Sequence, residues 1–133
     1  MNVPVLIAAV LSGLAFLAHT FMGDREIQLL RPEKKQDDAH NRMEKWTMSR
    51  CGWHWISFDL FATSTVLFLI LFTNIIIHEQ FLLTLLGLYY FGYGTVWLIT
   101  IKISKPFPYN YFRLWQWSLL YIIGGLVFWG SMT

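Results

Sequence analysis

The side chains that could do chemistry in this chain are four polar groups set in otherwise apolar sequence: His19, His54, Asp59 and Gln116. An ionisable or strongly polar group inside an apolar segment is costly to bury, and such groups typically mark functional sites. Each of the four lies near the end of its apolar segment that adjoins a basic loop. We therefore expect them to gather toward one side of a membrane.

His19 and His54 are the main candidates for a ligand site. The first ends one apolar segment and the second begins the next, so antiparallel helices would hold the two imidazoles at similar depth. Two such histidines can bind a haem axially or supply half of a metal site. Asp24 and Glu26 would be further ligands or partners, because zinc and iron accept imidazole together with carboxylate. The simpler alternative is that both histidines only form hydrogen bonds with a neighbouring helix.

Several other groups could extend this site. Arg25 and Arg50 could hold haem propionates. His40 and Glu44 stand at i, i+4 and could add ligands, although a solvated helix face is the simpler interpretation. Three tyrosines could line a quinone-like cleft or serve packing alone: Tyr89, Tyr90 and Tyr93.

Asp59, Gln116 and Ser57 complete the embedded polar set. A buried carboxylate costs roughly 2.5–3.5 kcal/mol, so Asp59 should be protonated, open to water, or paired with Gln116 or a basic residue. At 3.6 residues per turn His54 and Asp59 lie about 140° apart on their helix. We therefore do not expect them to form a tight pair.

The elements that must position these groups are membrane helices. Hydrophobic residues make up 56% of the chain and charged residues 14%, against roughly a quarter charged in ordinary soluble proteins. Four apolar runs can each cross a hydrocarbon core of about 30 Å as a helix. They cover residues 3–21, 51–77, 81–101 and 114–132. The expected fold is all-α: one domain, a four-helix transmembrane bundle packed up-and-down.

Basic residues set the orientation. All ten Lys and Arg lie in two loops, seven between residues 22 and 50 and three between 102 and 113. The positive-inside rule places both loops in the cytoplasm and both termini outside. The start of the chain lacks a basic n-region, so we expect the first helix to be retained. The predicted location is multi-pass in a bacterial inner (plasma) membrane.

The cytoplasmic loop after the first helix should be partly helical, with a break near Pro32 and a restart capped by Asp37 or Asp38. On the first helix a stripe of small and polar residues should face protein. That stripe is Ala8, Ser12, Ala15 and His19, extended by Gly23 and Glu26. On the second helix we predict an inward side made of Trp55, Phe58, Ala62 and Thr65. The lipid-facing side would be Ile56, Leu60, Leu67 and Leu71.

Other classes of function are disfavoured. A net charge of +2 without a basic stripe gives no nucleic-acid partner, and the single Cys51 cannot form an intrachain disulfide. Phosphate-binding glycine loops, CxxC pairs, nucleophile elbows and HExxH motifs are missing from the sequence.

Two short segments resemble those of a group of uncharacterised small bacterial four-helix membrane proteins. One is His19 to Ile27, which holds a His-x-x-x-Gly pattern, and the other is the Trp-His-x-x-Ser pattern of residues 53–57. The resemblance implies the same topology and marks five shared residues, without implying an activity: His19, Gly23, Trp53, His54 and Ser57. The acidic residue that usually follows the glycine is Asp24 here instead of Glu, so Asp24 and Glu26 compete for its role.

The sequence thus predicts a small membrane protein with a His-based site at its cytoplasmic face, binding a transition metal, haem or quinone-like cofactor. One rival is an accessory or assembly subunit of a larger membrane complex, in which polar residues only fix helix pairing. Another is a small oligomeric channel or transporter with Asp59 on a water path. Its expected partners are the lipid bilayer and either further copies of itself or a larger complex.

Overall fold

The computed structural model describes residues 2–33, 38–104 and 109–133, and these residues contain helices and no strands. The helices are α1 (Val3–Leu17), α2 (Asp24–Leu29), α3 (Ala39–Phe72), α4 (Glu79–Ile103), α5 (Asn110–Arg113) and α6 (Gln116–Gly130). A π-helical segment, Ala18–Gly23, joins α1 to α2. The described chain therefore has five continuous helical stretches where four were predicted. The additional stretch is α5, a short helix of 4 residues.

Three of these stretches are long and apolar enough to cross a membrane: Val3–Leu29, His40–Phe72 and Glu79–Ile103. The predicted fourth span is represented by α6, which has 15 residues. At 1.5 Å per residue this helix is about 22 Å long, which is shorter than a typical hydrocarbon core. The all-α class is thus confirmed, together with three helices of membrane-spanning character.

The chain divides into two compact units, and residues 10–65 form one of them. Here the end of α1, the π segment and α2 lie antiparallel to the first part of α3. Phe16 contacts Phe61 with ring centroids 5.3 Å apart. A Cβ on Gly13 would lie 3.0 Å from Oγ of Ser64. Small residues bring the two helices close, as is typical of helix pairs in membranes.

The other unit contains residues 66–133 and the start of the chain. Within it α4 and α6 pack closely at glycines. A Cβ on Gly87 would lie 2.8 Å from Cβ of Phe128, and one on Gly94 would lie 2.7 Å from Cε2 of Tyr121. At the chain terminus, Nδ2 of Asn2 donates a hydrogen bond of 2.7 Å to the carbonyl of Gly130.

The prediction for the faces of the second helix is wrong. Trp55 and Phe58, assigned to the inward side, are 78% and 69% exposed, whereas Leu60 and Leu67, assigned to lipid, are buried. Their buried face continues through Ser57 and Ser64. In a membrane, large aromatic side chains can face lipid at little cost, and small hydroxyl residues pack well between helices. Hydrophobicity alone therefore does not distinguish the two faces.

The first helix and its loop follow the prediction more closely. Ala8 and Ser12 are fully buried and His19 is half-buried, as the small-residue stripe predicted. The helical course breaks after Leu29 and restarts at Ala39. Asp38 precedes the restart with a left-handed φ of 68°, and its carbonyl accepts from the backbone amide of Arg42 at 3.1 Å. The alternative cap, Asp37, lies outside the described residues.

Candidate functional site

The site is built on the π-helical segment Ala18–Gly23. In a π-helix the backbone hydrogen bonds run from i to i+5, so residues five apart lie nearly above one another. The segment therefore turns His19 and Asp24 toward the same side, whereas a regular α-helix would separate them by about 140°. Short π segments inside α-helices occur frequently at functional sites.

His19 is held by two residues of α3, Trp53 and Ser57. Its ring stacks on the indole of Trp53, with centroids 3.9 Å apart and planes 7° from parallel. The indole Nε1 of Trp53 donates a 2.9 Å hydrogen bond to the carbonyl of His19. Nδ1 of His19 lies 2.9 Å from Oγ of Ser57. The stack and the hydrogen bonds therefore fix the orientation of the imidazole. Its Nδ1 is used by the contact with Ser57, and Nε2 is the second ring nitrogen.

Gly23 makes this stack possible. It is buried, and a Cβ at this position would overlap the indole ring of Trp53. The glycine lets the π segment approach α3 closely enough for Trp53 to reach both His19 and Gly23. Close backbone approach is a common reason for glycine at such a position.

Asp24 links the two helical stretches through charged hydrogen bonds. Its Oδ1 accepts from Nε of Arg50 at 2.7 Å, and its Oδ2 accepts from Nη2 of Arg50 at 3.0 Å. Nε2 of His54 also donates to Oδ1 at 3.1 Å. Oriented with its amide oxygen toward the guanidinium, Gln28 accepts from Arg50 at 2.7 Å. Bidentate pairing of this kind fixes geometry as well as charge.

The predicted site residues thus fall into two groups of contacts that adjoin each other along the chain. His19, Gly23, Trp53 and Ser57 form the first group. Asp24 and His54 form the second. Of the two competing acidic residues, Asp24 meets His54, whereas Glu26 is exposed. Arg50, considered for haem propionates, is bound to Asp24, and Arg25 is exposed.

Metal-ligating side chains form no group of three or more within the described residues. His19 and His54 instead each have one ring nitrogen held by an oxygen of the chain. His40 and Glu44 lie exposed on α3. The predicted ligand set of His19, His54, Asp24 and Glu26 is therefore not assembled as a closed site.

Asp59 and Gln116 are the remaining polar candidates. Asp59 is half-buried on α3. Gln116 begins α6, and its Oε1 is buried without a hydrogen-bond partner among the described residues. The predicted pairing of Asp59 with Gln116 stays a prediction. In α4 the hydroxyls of Tyr89 and Tyr93 lie 2.7 Å apart.

Sequence reasoning missed a cluster around Trp46. Guanidinium carbons of Arg31 and Arg50 lie 5.6 and 5.7 Å from the centroid of its indole ring. Nε1 of Trp46 donates a 3.0 Å hydrogen bond to the carbonyl of Ile27. The available signal was the spacing of Trp46 and Arg50, since residues at i and i+4 share one helix face.

Comparison with known proteins adds no relative: neither a family model, nor a curated protein, nor a solved structure matches the chain. The class that the fold defines is an all-α chain with three helices of membrane-spanning length and hydropathy. Its candidate functional site is the cluster that contains His19, Asp24, Trp53 and His54.

Proposed function

We propose that the chain is a four-span membrane protein with both termini outside and the histidine cluster at its cytoplasmic face. About 20 residues span a hydrocarbon core. Counting that number inward from Val3 ends near Met22, and counting back from Phe72 ends at Trp53. Both counts end beside the Gly23–Trp53 contact, so the cluster stands at the edge of the core. The basic loops on that side support the cytoplasmic assignment.

We propose further that this cluster binds a transition-metal ion through His19 and His54. The observation that carries the proposal is that each imidazole has one nitrogen held by an oxygen partner, Ser57 for His19 and Asp24 for His54. Metal-binding histidines almost always have such a partner on the nitrogen that does not ligate, because it fixes the tautomer and the ring orientation. Nε2 of His19 and Nδ1 of His54 are then the ligating atoms.

Imidazole ligands suit zinc, iron and copper. Two histidines make half of a four-coordinate shell, so water or a second copy of the chain would supply the other ligands. Haem fits less well. A macrocycle between the histidines would have to separate two helical stretches that touch at Gly23 and Trp53.

Metal analysis of the purified full-length protein tests this function. We expect stoichiometric zinc, iron or copper in the wild-type chain and its loss in both His19→Ala and His54→Ala. The matched control is His78→Ala, since His78 is an exposed histidine far along the chain from the cluster. Ser57→Ala should weaken metal binding roughly 10–100-fold, the usual cost of removing a partner of a ligating histidine. Wild-type protein without stoichiometric metal after loading would rule out the proposal.

A second candidate is an accessory subunit whose cluster only fixes helix pairing. It is favoured by the bonds of Asp24, which are made to Arg50 and His54 within the same chain. In that case His19→Ala and His54→Ala lower expression or complex assembly while metal content is near zero in every variant. The metal proposal instead expects both variants to lose metal while expression and assembly stay intact.

A further inference from the structure

Two arginines converge on one tryptophan outside the histidine cluster. Arg31 follows the end of α2, Arg50 lies in α3, and the guanidinium groups of both lie over the indole of Trp46. Trp46 is itself fixed by its hydrogen bond to the carbonyl of Ile27. A cation over an indole face is held by the electrostatic attraction of the ring. The indole therefore interacts with two positively charged groups.

The two charges differ in how they are balanced. Arg50 is paired with Asp24 through both carboxylate oxygens. Arg31 forms no ion pair in the part of the chain that the structure describes. Among the described residues, Arg31 is therefore the exposed guanidinium beside Trp46 that has no carboxylate partner.

Apolar side chains lie directly beside this charge. Leu29 and Leu30, which precede Arg31, are 82% and 75% exposed. Trp46 stands seven residues before Trp53, which corresponds to about 10 Å along α3. With Trp53 at the edge of the core, as the proposed topology has it, that distance places Arg31 and Trp46 at the outer side of the lipid headgroups. Long arginine side chains can reach back from there toward the phosphates.

We propose that Arg31, held over Trp46, binds the phosphate of an anionic phospholipid. A guanidinium matches phosphate geometry with two parallel hydrogen bonds, and arginine is suited to such contacts because it also stacks on aromatic rings. The placement of Arg31 at the level of the lipid headgroups, beside the exposed Leu29 and Leu30, favours a lipid over a soluble phosphate. This site is independent of the proposed metal function, since it shares with that site only Arg50, which remains paired with Asp24.

Lipid retention by the purified full-length protein tests the proposal. The protein is equilibrated in mixed phosphatidylcholine and phosphatidylglycerol, and bound lipids are counted by native mass spectrometry. We expect phosphatidylglycerol to be enriched on the wild-type chain and to fall roughly fivefold in Arg31→Gln, which corresponds to about 1 kcal/mol per basic residue at a charged membrane surface. Arg31→Lys should fall in between, because a lysine keeps the charge but loses the planar fork.

The matched control is Arg113→Gln, which removes an exposed arginine from the other basic loop. An equal loss of phosphatidylglycerol in Arg31→Gln and Arg113→Gln overturns the proposal, because it would reflect general surface charge. Complete displacement by inorganic phosphate or soluble glycerophosphate overturns it as well, because it would show a site for small anions. Retention of the lipid against both soluble anions supports the proposal.

Discussion

Gly23 packs directly against the indole of Trp53, so a single methyl group added there has a defined consequence. The Cβ of Gly23→Ala would lie 2.8 Å from Cε2 of Trp53, and the indole must move away from His19. We expect a loss of about 1–3 kcal/mol in the free energy of unfolding, as is typical of overpacking. Thermal unfolding in detergent, followed by circular dichroism, measures it.

The control for this variant is Gly52→Ala. Gly52 lies in α3, one residue from Trp53, and a Cβ there would meet nothing within 4 Å. Alanine is favoured over glycine in a helix by up to about 1 kcal/mol. Gly52→Ala should therefore be neutral or slightly stabilising. Equal destabilisation by both variants would show that the Gly23–Trp53 contact is unimportant.

Asp24 and Glu26 differ in the interaction partners of their carboxylates. Asp24→Asn removes the charge that binds Arg50 and His54, whereas Glu26→Gln changes an exposed group. We expect a clearly lower unfolding midpoint for Asp24→Asn and almost no change for Glu26→Gln. Asp24→Asn combined with Arg50→Gln should cost less than the sum of the single variants, because the two groups share one interaction. An additive result would count against the pair.

At the scale of helices, the π segment decides which residues meet α3. In Ala18–Gly23 the wider turn brings Asp24 onto the face that carries His19, and the same turn leaves Glu26 exposed. The strict 3.6-residue period had put Gly23 and Glu26 on that face. The sequence gives no direct sign of a π turn, so its effect on these two acidic residues came from the tertiary structure.

The pairing of α4 with α6 depends on Gly87. A Cβ there would lie 2.8 Å from Cβ and 3.1 Å from Cα of Phe128, and backbone atoms cannot move aside easily. Gly87→Ala should separate the two helices and destabilise the protein by about 1–3 kcal/mol. Gly92→Ala in the same helix is the control, since a Cβ there meets nothing within 4 Å. Comparable unfolding midpoints for the two variants would contradict this packing.

At the scale of the whole molecule, the proposed topology requires α6 to cross the membrane. With 15 residues it is shorter than the three long helical stretches. If it spans, the C-terminus and Cys51 lie on opposite sides. In intact cells an impermeant maleimide should then label the Cys51→Ser/Met132→Cys variant and leave the wild-type Cys51 unlabelled. Both chains should react after permeabilisation, and labelling of both in intact cells would contradict the topology.

The sequence by itself determined the helical class, the three long apolar segments and the residues from which the site is built. These follow from composition, segment length and the scarcity of charge, which are local properties of the chain. The break near Pro32 and the restart before α3 were also predicted from the sequence, with Asp37 and Asp38 as alternative caps.

Only the tertiary structure decided which faces meet and which side chains touch. Lipid tolerates both aliphatic and aromatic side chains, so hydrophobicity could not tell that Leu60 is buried while Phe58 is exposed. The stack of His19 on Trp53 depends on the absence of a Cβ at Gly23. The pairing of Asp24 with Arg50 and His54 depends on the π turn. These are matters of close contact between distant parts of the chain, which no local pattern encodes.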